Sequence, residues 1–184
     1  MCGIICIVSR PSARPLPIAA DLLDALDKAI TAGNIGAIAE CASHVAAVDA
    51  ALRGESGTAA LVDNLQLVSG LVSRLNQLDA IASQAEQVLE AATGLSTQEV
   101  ERRSNELIAL RDATWSLRID RLRTAKLVGE LAGKSASDSA RNAYLSIQQS
   151  FSALDRMEVR GRDSAGINLL VWGHGIDASD ARVQ

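Results

Sequence analysis

From Ile18 to Leu131 apolar residues recur every three or four positions, the spacing that lines one face of a helix. Leu22, Leu23, Leu26 and Ile30 make the first such face, and Gly33-Asn34 punctuates its end. A shorter helix is expected over roughly 35–52, broken at Gly54 and Gly57. Leu61, Leu65, Val68, Val72, Leu75, Ala82, Ala85 and Leu89 then step by fours and threes with one gap of seven, which predicts a long amphipathic helix closed at Gly94. Ser96-Thr97-Gln98-Glu99 places Ser and Glu three apart ahead of an apolar run, a capping-box signature. Val100, Leu107, Leu110, Thr114 and Leu117 carry the seam onward, so two long antiparallel helices are predicted.

The chain ends carry another pattern. Cys2-Gly3-Ile4-Ile5-Cys6-Ile7-Val8 is uncharged and rich in β-branched residues, which predicts a strand buried on both faces. Pro11, Pro15 and Pro17, the only prolines, close it and make an extended connector in which no helix begins before Pro17. Towards the other end, Gly133-Lys134-Ser135-Ala136-Ser137 interrupts the helical pattern before a last helix bearing Ala140, Tyr144, Ile147, Phe151 and Leu154. A polar turn from Arg160 to Gly166 leads to a second predicted strand, Ile167 to Trp172, and then to Gly173-His174-Gly175. Two separated strands do not make a stable sheet unaided, so the layer is expected to be incomplete. The predicted organisation is mostly α: a first strand over 1–11, a helical hairpin or bundle inserted over 12–139, and a helix, turn and second strand over 140–184.

Composition narrows the function classes. Eighteen Lys plus Arg against 22 Asp plus Glu give a net charge of −4, which disfavours nucleic acid as a partner. Aromatic side chains are limited to Trp115, Tyr144, Phe151 and Trp172, so the core must be built from aliphatics. Three cysteines, Cys2, Cys6 and Cys41, make no disulfide framework, and a reducing, cytoplasmic setting is expected. The apolar run Ile4–Val8 falls far short of the roughly 20 residues that cross a bilayer, so no membrane partner is expected. Cys41 and His44 share a helical face but lack a second ligand pair at zinc spacing, and neither metal nor cofactor is expected. Gly129 to Ser135 ends in Gly133-Lys134-Ser135 but has three residues between its glycines where a phosphate loop needs four. His174, between two glycines, reads as a turn residue.

Cys2 has the most distinctive chemistry. A residue this small behind Met1 permits removal of Met1, leaving a thiol and a free α-amine on one residue. An α-amine titrates near about 7.7–8.0 and can take the thiol proton, so Cys2 would supply both nucleophile and base. Cys6 reads as a small buried hydrophobe.

Met1-Cys2-Gly3-Ile4-Ile5 resembles the start of the class II, N-terminal-nucleophile glutamine amidotransferases. Arg160-Gly161-Arg162-Asp163-Ser164-Ala165-Gly166-Ile167, preceded by a helix ending in Leu154 and Met157-Glu158, resembles the arginine-glycine turn of the glutamine:fructose-6-phosphate aminotransferases in that family. The phosphoribosyl amidotransferases of the same family are the alternative. Val159 and Arg162 stand where the sugar-phosphate enzymes usually carry tyrosines. The family joins its cysteine strand to this turn by one short helix, which the helix over 140–157 resembles, so residues 12–139 are expected to be an insertion.

The resemblance implies an αββα sandwich, here incomplete, and hydrolysis of glutamine. The Cys2 thiolate would attack the side-chain amide, ammonia would leave as a thioester forms, and water would release glutamate. Ammonia would pass to a sugar phosphate, such as fructose 6-phosphate, for amino-sugar synthesis. Arg160 and Gly161 would orient the Cys2 amine or carbonyl, with Asp163 and Ser164 holding the turn. The family's arginine-tryptophan-x-threonine-histidine segment and asparagine-glycine oxyanion pair do not occur in the chain. An amino-terminal piece, inactive until a downstream polypeptide supplies those parts, is therefore expected. From another class comes a second expectation: a helical module that binds a partner or self-associates through its seams, with remnant amidotransferase strands.

Overall fold

The computed structural model describes residues 6–8, 12–133, 136–157, 166–170, 179 and 181. Its described elements are helices. They are α1 (Ala19–Asn34), α2 (Ile38–Ala51), α3 (Gly54–Leu61), α4 (Leu65–Ala91), α5 (Thr97–Ser116), α6 (Thr124–Ala132) and α7 (Asp138–Met157). A seven-residue π-helical stretch, Leu117–Arg123, joins α5 to α6 without a break, since Ser116, Leu117, Arg123 and Thr124 all keep right-handed helical angles. The mostly α organisation is therefore present, and no strand occurs among the described residues.

One apolar core runs through the helices. Leu22 and Leu26 of α1, Val45 and Val48 of α2, Leu71, Leu75 and Leu78 of α4, and Leu110 of α5 are buried together. Leu117, Val128 of α6 and Leu145 of α7 belong to the same cluster. Leucine and valine can fill such a seam because helices at three- and four-residue spacing interdigitate their side chains. Helix α4 and the α5–α6 rod form the antiparallel hairpin: Glu86 pairs with Arg111 and, seven residues away on each helix, Asp79 pairs with Arg118. Arg74 ties α4 to Asp27 of α1 through two bonds of 2.8 and 2.7 Å.

The structure departs from the sequence pattern at four places. Gly54 and Gly57 do not form a loop; they lie in α3, where a methyl on Gly57 would stand 2.0 Å from the Leu52 carbonyl oxygen. At Gly57 glycine serves close packing, whereas Gly54, with φ of 71° and no neighbour within 4 Å of a built methyl, serves the backbone turn that starts α3. The long helix accordingly begins at Leu65, capped by the Asn64 side chain, which accepts from the Leu67 N–H at 3.1 Å. That start shifts its inner face to Leu67 and Leu71 and leaves Leu65 83% exposed. The third difference is at the capping box: the Ser96 hydroxyl accepts from the Glu99 N–H at 3.2 Å, but the Glu99 carboxylate is taken by Arg102 and Arg103.

The fourth concerns the strands. Cys6, Ile7 and Val8 are exposed, Val8 at 87%, and residues 6–8 and 166–170 have no regular structure. An apolar run becomes a buried strand only where a neighbouring strand takes up its backbone groups, and no such strand lies among the described residues. The rest of both segments lies outside them.

Candidate functional site

Cys2, Arg160 and Gly161, with Asp163, Ser164 and His174, lie outside the described residues. What the structure does place is the chain on either side of the long helical stretch. Behind Cys2, the connector over 12–18 docks on the start of α3. The Ser12 N–H donates to Glu55 Oε2 at 2.7 Å, and Ser56 Oγ donates to the Arg14 carbonyl at 2.7 Å. Arg14 in turn donates to the carbonyls of Ala50, at 3.3 Å, Ala51, at 2.9 Å, and Arg53. Ala50 and Ala51 lie in the last turn of α2 and Arg53 just before α3, so one guanidinium ties the end of α2 to the start of α3.

Helix α7 returns to the same place. Asn142 Nδ2 donates to the other oxygen of Glu55, so one carboxylate holds both the connector and α7. Arg141 adds a 3.2 Å bond to Asp63, a turn residue with φ of 63° between α3 and α4. The chain therefore leaves for the helical bundle and comes back from it at one point. A cavity of about 650 Å3 lies there, between Ile7 and Val8 on one side and Asn142, Leu145 and Gln149 on the other, with Glu55 in its wall.

The far end of α7 is held differently. Arg156 pairs with Asp120 of the π-helical stretch and stacks over the Trp115 ring, 5.4 Å from its centroid. Asp120 neighbours a buried cluster centred on Asp49, which is 3% exposed. Ser116 Oγ and Arg121 Nε donate to Asp49 Oδ1 at 2.7 and 3.0 Å, and Arg53 Nη2 donates to Oδ2 at 2.8 Å. Burial pushes the Asp49 carboxyl up, but the hydrogen bonds from Ser116, Arg53 and Arg121 outweigh it and hold the group below its ordinary value.

The other sequence candidates with described positions lie on α2 and in α6. Cys41 is buried against Gly33, and desolvation raises its thiol to about 11, so at neutral pH it is neither thiolate nor ready ligand. His44 is half-buried, 3.8 Å from Glu40 one turn earlier. No group of three metal-binding side chains occurs among the described residues. Gly129 to Ala132 are helical, inside α6, and so form no phosphate-cradling loop. No described helix is long and apolar enough to cross a membrane.

Sequence reasoning missed both Glu55 and Asp49. Glu55 gives no local signal, because an acidic residue in the first turn of a helix is ordinary. Asp49 does give one: it falls four residues after Val45 and eight after Cys41, on the apolar face of α2. A carboxylate on that face requires partners from another helix. A second cavity, about 560 Å3, opens among the ends of α1, α4 and α5, with Ile81, Ala85 and Leu107 in its wall and Arg102, Arg103 and Glu106 at its edge. Those charges already pair with one another or with Glu99.

No family model, curated protein or solved structure matches the chain.

Proposed function

We propose that the chain is the amino-terminal part of a cytoplasmic, glutamine-dependent amidotransferase of the N-terminal-nucleophile type, carrying a helical insertion between two segments of its glutaminase domain. The observation that carries this reading is the pairing of Met1-Cys2-Gly3-Ile4-Ile5 with Arg160-Gly161-Arg162-Asp163-Ser164-Ala165-Gly166-Ile167. Either motif alone is short; together, in this order around a linker-like helix, they are specific.

The junction at Glu55 supports it. An insertion leaves its host intact when its two ends are neighbours, since the flanking segments then keep their places. Here Ser12 and Asn142, 130 positions apart, bond to one carboxylate. The exposed Ile7, Val8 and Phe151 sit on segments that a glutaminase sheet would cover.

The chemistry follows from Cys2. Its amine takes the thiol proton, and the thiolate adds to the side-chain amide carbon of glutamine. The tetrahedral oxyanion then collapses, the carbon–nitrogen bond breaks, and the leaving nitrogen takes the proton to depart as ammonia. Water adds to the resulting thioester and glutamate leaves, restoring the thiol. The ammonia is delivered to a sugar phosphate in a further domain, and the oxyanion donors come from polypeptide beyond these residues. Within the family the arginine-glycine turn favours the fructose 6-phosphate aminotransferases over the phosphoribosyl enzymes.

The mechanism requires a free amine on Cys2. Intact-mass measurement of the protein as purified from cells tests it. Loss of Met1 is the expected result, and full retention of Met1 in protein active as a glutaminase would remove Cys2 as nucleophile.

A further inference from the structure

The Asp49 cluster and the π-helical stretch have no part in the chemistry proposed for Cys2, yet both are unusual. Seven π-helical residues are long for a conformation that occurs mostly as a single turn and often at functional places. Ser116 and Arg121 are five positions apart. In an α-helix such residues point about 140° away from each other, because each residue turns about 100°. The i to i+5 repeat of a π-helix brings them to one side, where both donate to Asp49 Oδ1. The buried carboxylate and the π geometry therefore depend on each other.

The same geometry sets Asp120. It lies within the π-helical stretch, 3.5 Å from Ser116 Oγ, and receives Arg156 of α7. Arg156 in turn stacks on Trp115, one residue before Ser116. A continuous set of contacts thus runs from Arg53 and Asp49 on α2, through Ser116, Arg121 and Asp120, to the last turn of α7. That turn ends at Met157, three residues before Arg160.

We infer that Asp49 and the π-helical stretch form a conformational latch that fixes the C-terminal end of α7 to the bundle. With Asp49 engaged, the stretch stays π-helical and presents Asp120 to Arg156. With Asp49 disengaged, the rod relaxes toward α-helical repeat, Ser116 and Arg121 turn apart, and Asp120 rotates away from Arg156. The N-terminal half of α7 is held by separate ties, at Glu55 and Asp63, so the latch acts on one end only. That releasing it would disturb the arginine-glycine turn rests on the proposed function; the latch itself does not.

Hydrogen exchange on the full chain tests it, with Asp49→Asn, Asp120→Asn and Asp63→Asn compared with wild type. Asp49→Asn is expected to speed exchange of the amides over 153–157 about tenfold more than it speeds those over 141–147, on top of any loss of global stability that the core amides share. In a Trp172→Phe background, the same variant should shift Trp115 emission, because Arg156 leaves its ring. Asp120→Asn, which leaves Asp49 paired, should reproduce both effects without altering exchange over 117–123, and Asp63→Asn should loosen 141–147 alone. Unchanged exchange at 153–157 in either of the first two variants would overturn the latch, and so would equal acceleration throughout α4 and α7. Glutamate release is read separately: a chain that shows this exchange pattern but never yields Cys2-dependent glutaminase activity counts against the amidotransferase and not the latch.

Discussion

A methyl group at Gly57 would stand 2.0 Å from the Leu52 carbonyl oxygen and 2.5 Å from its Cα, both backbone atoms of a buried residue. No rotamer change relieves that overlap, so α3 must move. Gly57→Ala should destabilise the protein by about 3 kcal/mol, read as a lower urea midpoint with unchanged slope; a midpoint within error of wild type would show that α3 is free to shift. Asp49 makes a second residue-scale prediction. Its carboxyl is held below the ordinary value, so its contribution to stability is complete above that value, near 3.8, and is lost as pH falls through the lowered one. Removing one partner of a buried charge cluster typically costs about 3 kcal/mol. Asp49→Asn should therefore fall well below wild type at pH 7, and the gap should narrow below about pH 4 as the native carboxyl protonates. Urea unfolding at both pH values checks this, and a gap of constant size would contradict it.

Among the elements, the start of α5 is set by few groups. The Ser96 hydroxyl satisfies the Glu99 N–H, while Arg102 and then Arg103 engage the Glu99 carboxylate and bring it down to about 2. Ser96→Ala should cost about 1 kcal/mol, whereas Ser96→Asp should retain wild-type stability; thermal unfolding of the pair distinguishes capping from simple loss of a surface group. Helix existence was legible from periodicity: Leu22, Leu26, Leu75, Leu107 and Leu110 are inner residues as their spacing predicts. The register of α4 was not, because Leu61 and Leu65 fit the same four-three rhythm as Leu67 and Leu71. Only the Asn64 cap and the turn at Asp63 decide between them. The π-helical stretch was equally hidden. Its residues have ordinary helical composition, and its repeat comes from contacts with Asp49, on another helix, which no local window contains.

Across the whole molecule, the helices form one core that includes Leu145, and α7 is anchored to the bundle near both of its ends. The candidate chemistry rests on residue types and their order alone, since Cys2, Arg160 and Gly161 lie outside the described residues. The meeting of the two chain flanks at Glu55 was not legible, since it depends on a closure of more than a hundred residues. On the proposed reading, that meeting is what would let a bundle be inserted without displacing the flanking segments. Of the first expected strand only residues 6–8 are described, and they are exposed and without regular structure. The most direct test is glutamate release from glutamine by the polypeptide that extends these residues through the oxyanion donors, measured for wild type and Cys2→Ala. Turnover is expected to fall by at least about 10³-fold in the variant, because the α-amine that remains has no thiol to activate. Equal glutamate release from both proteins would contradict it.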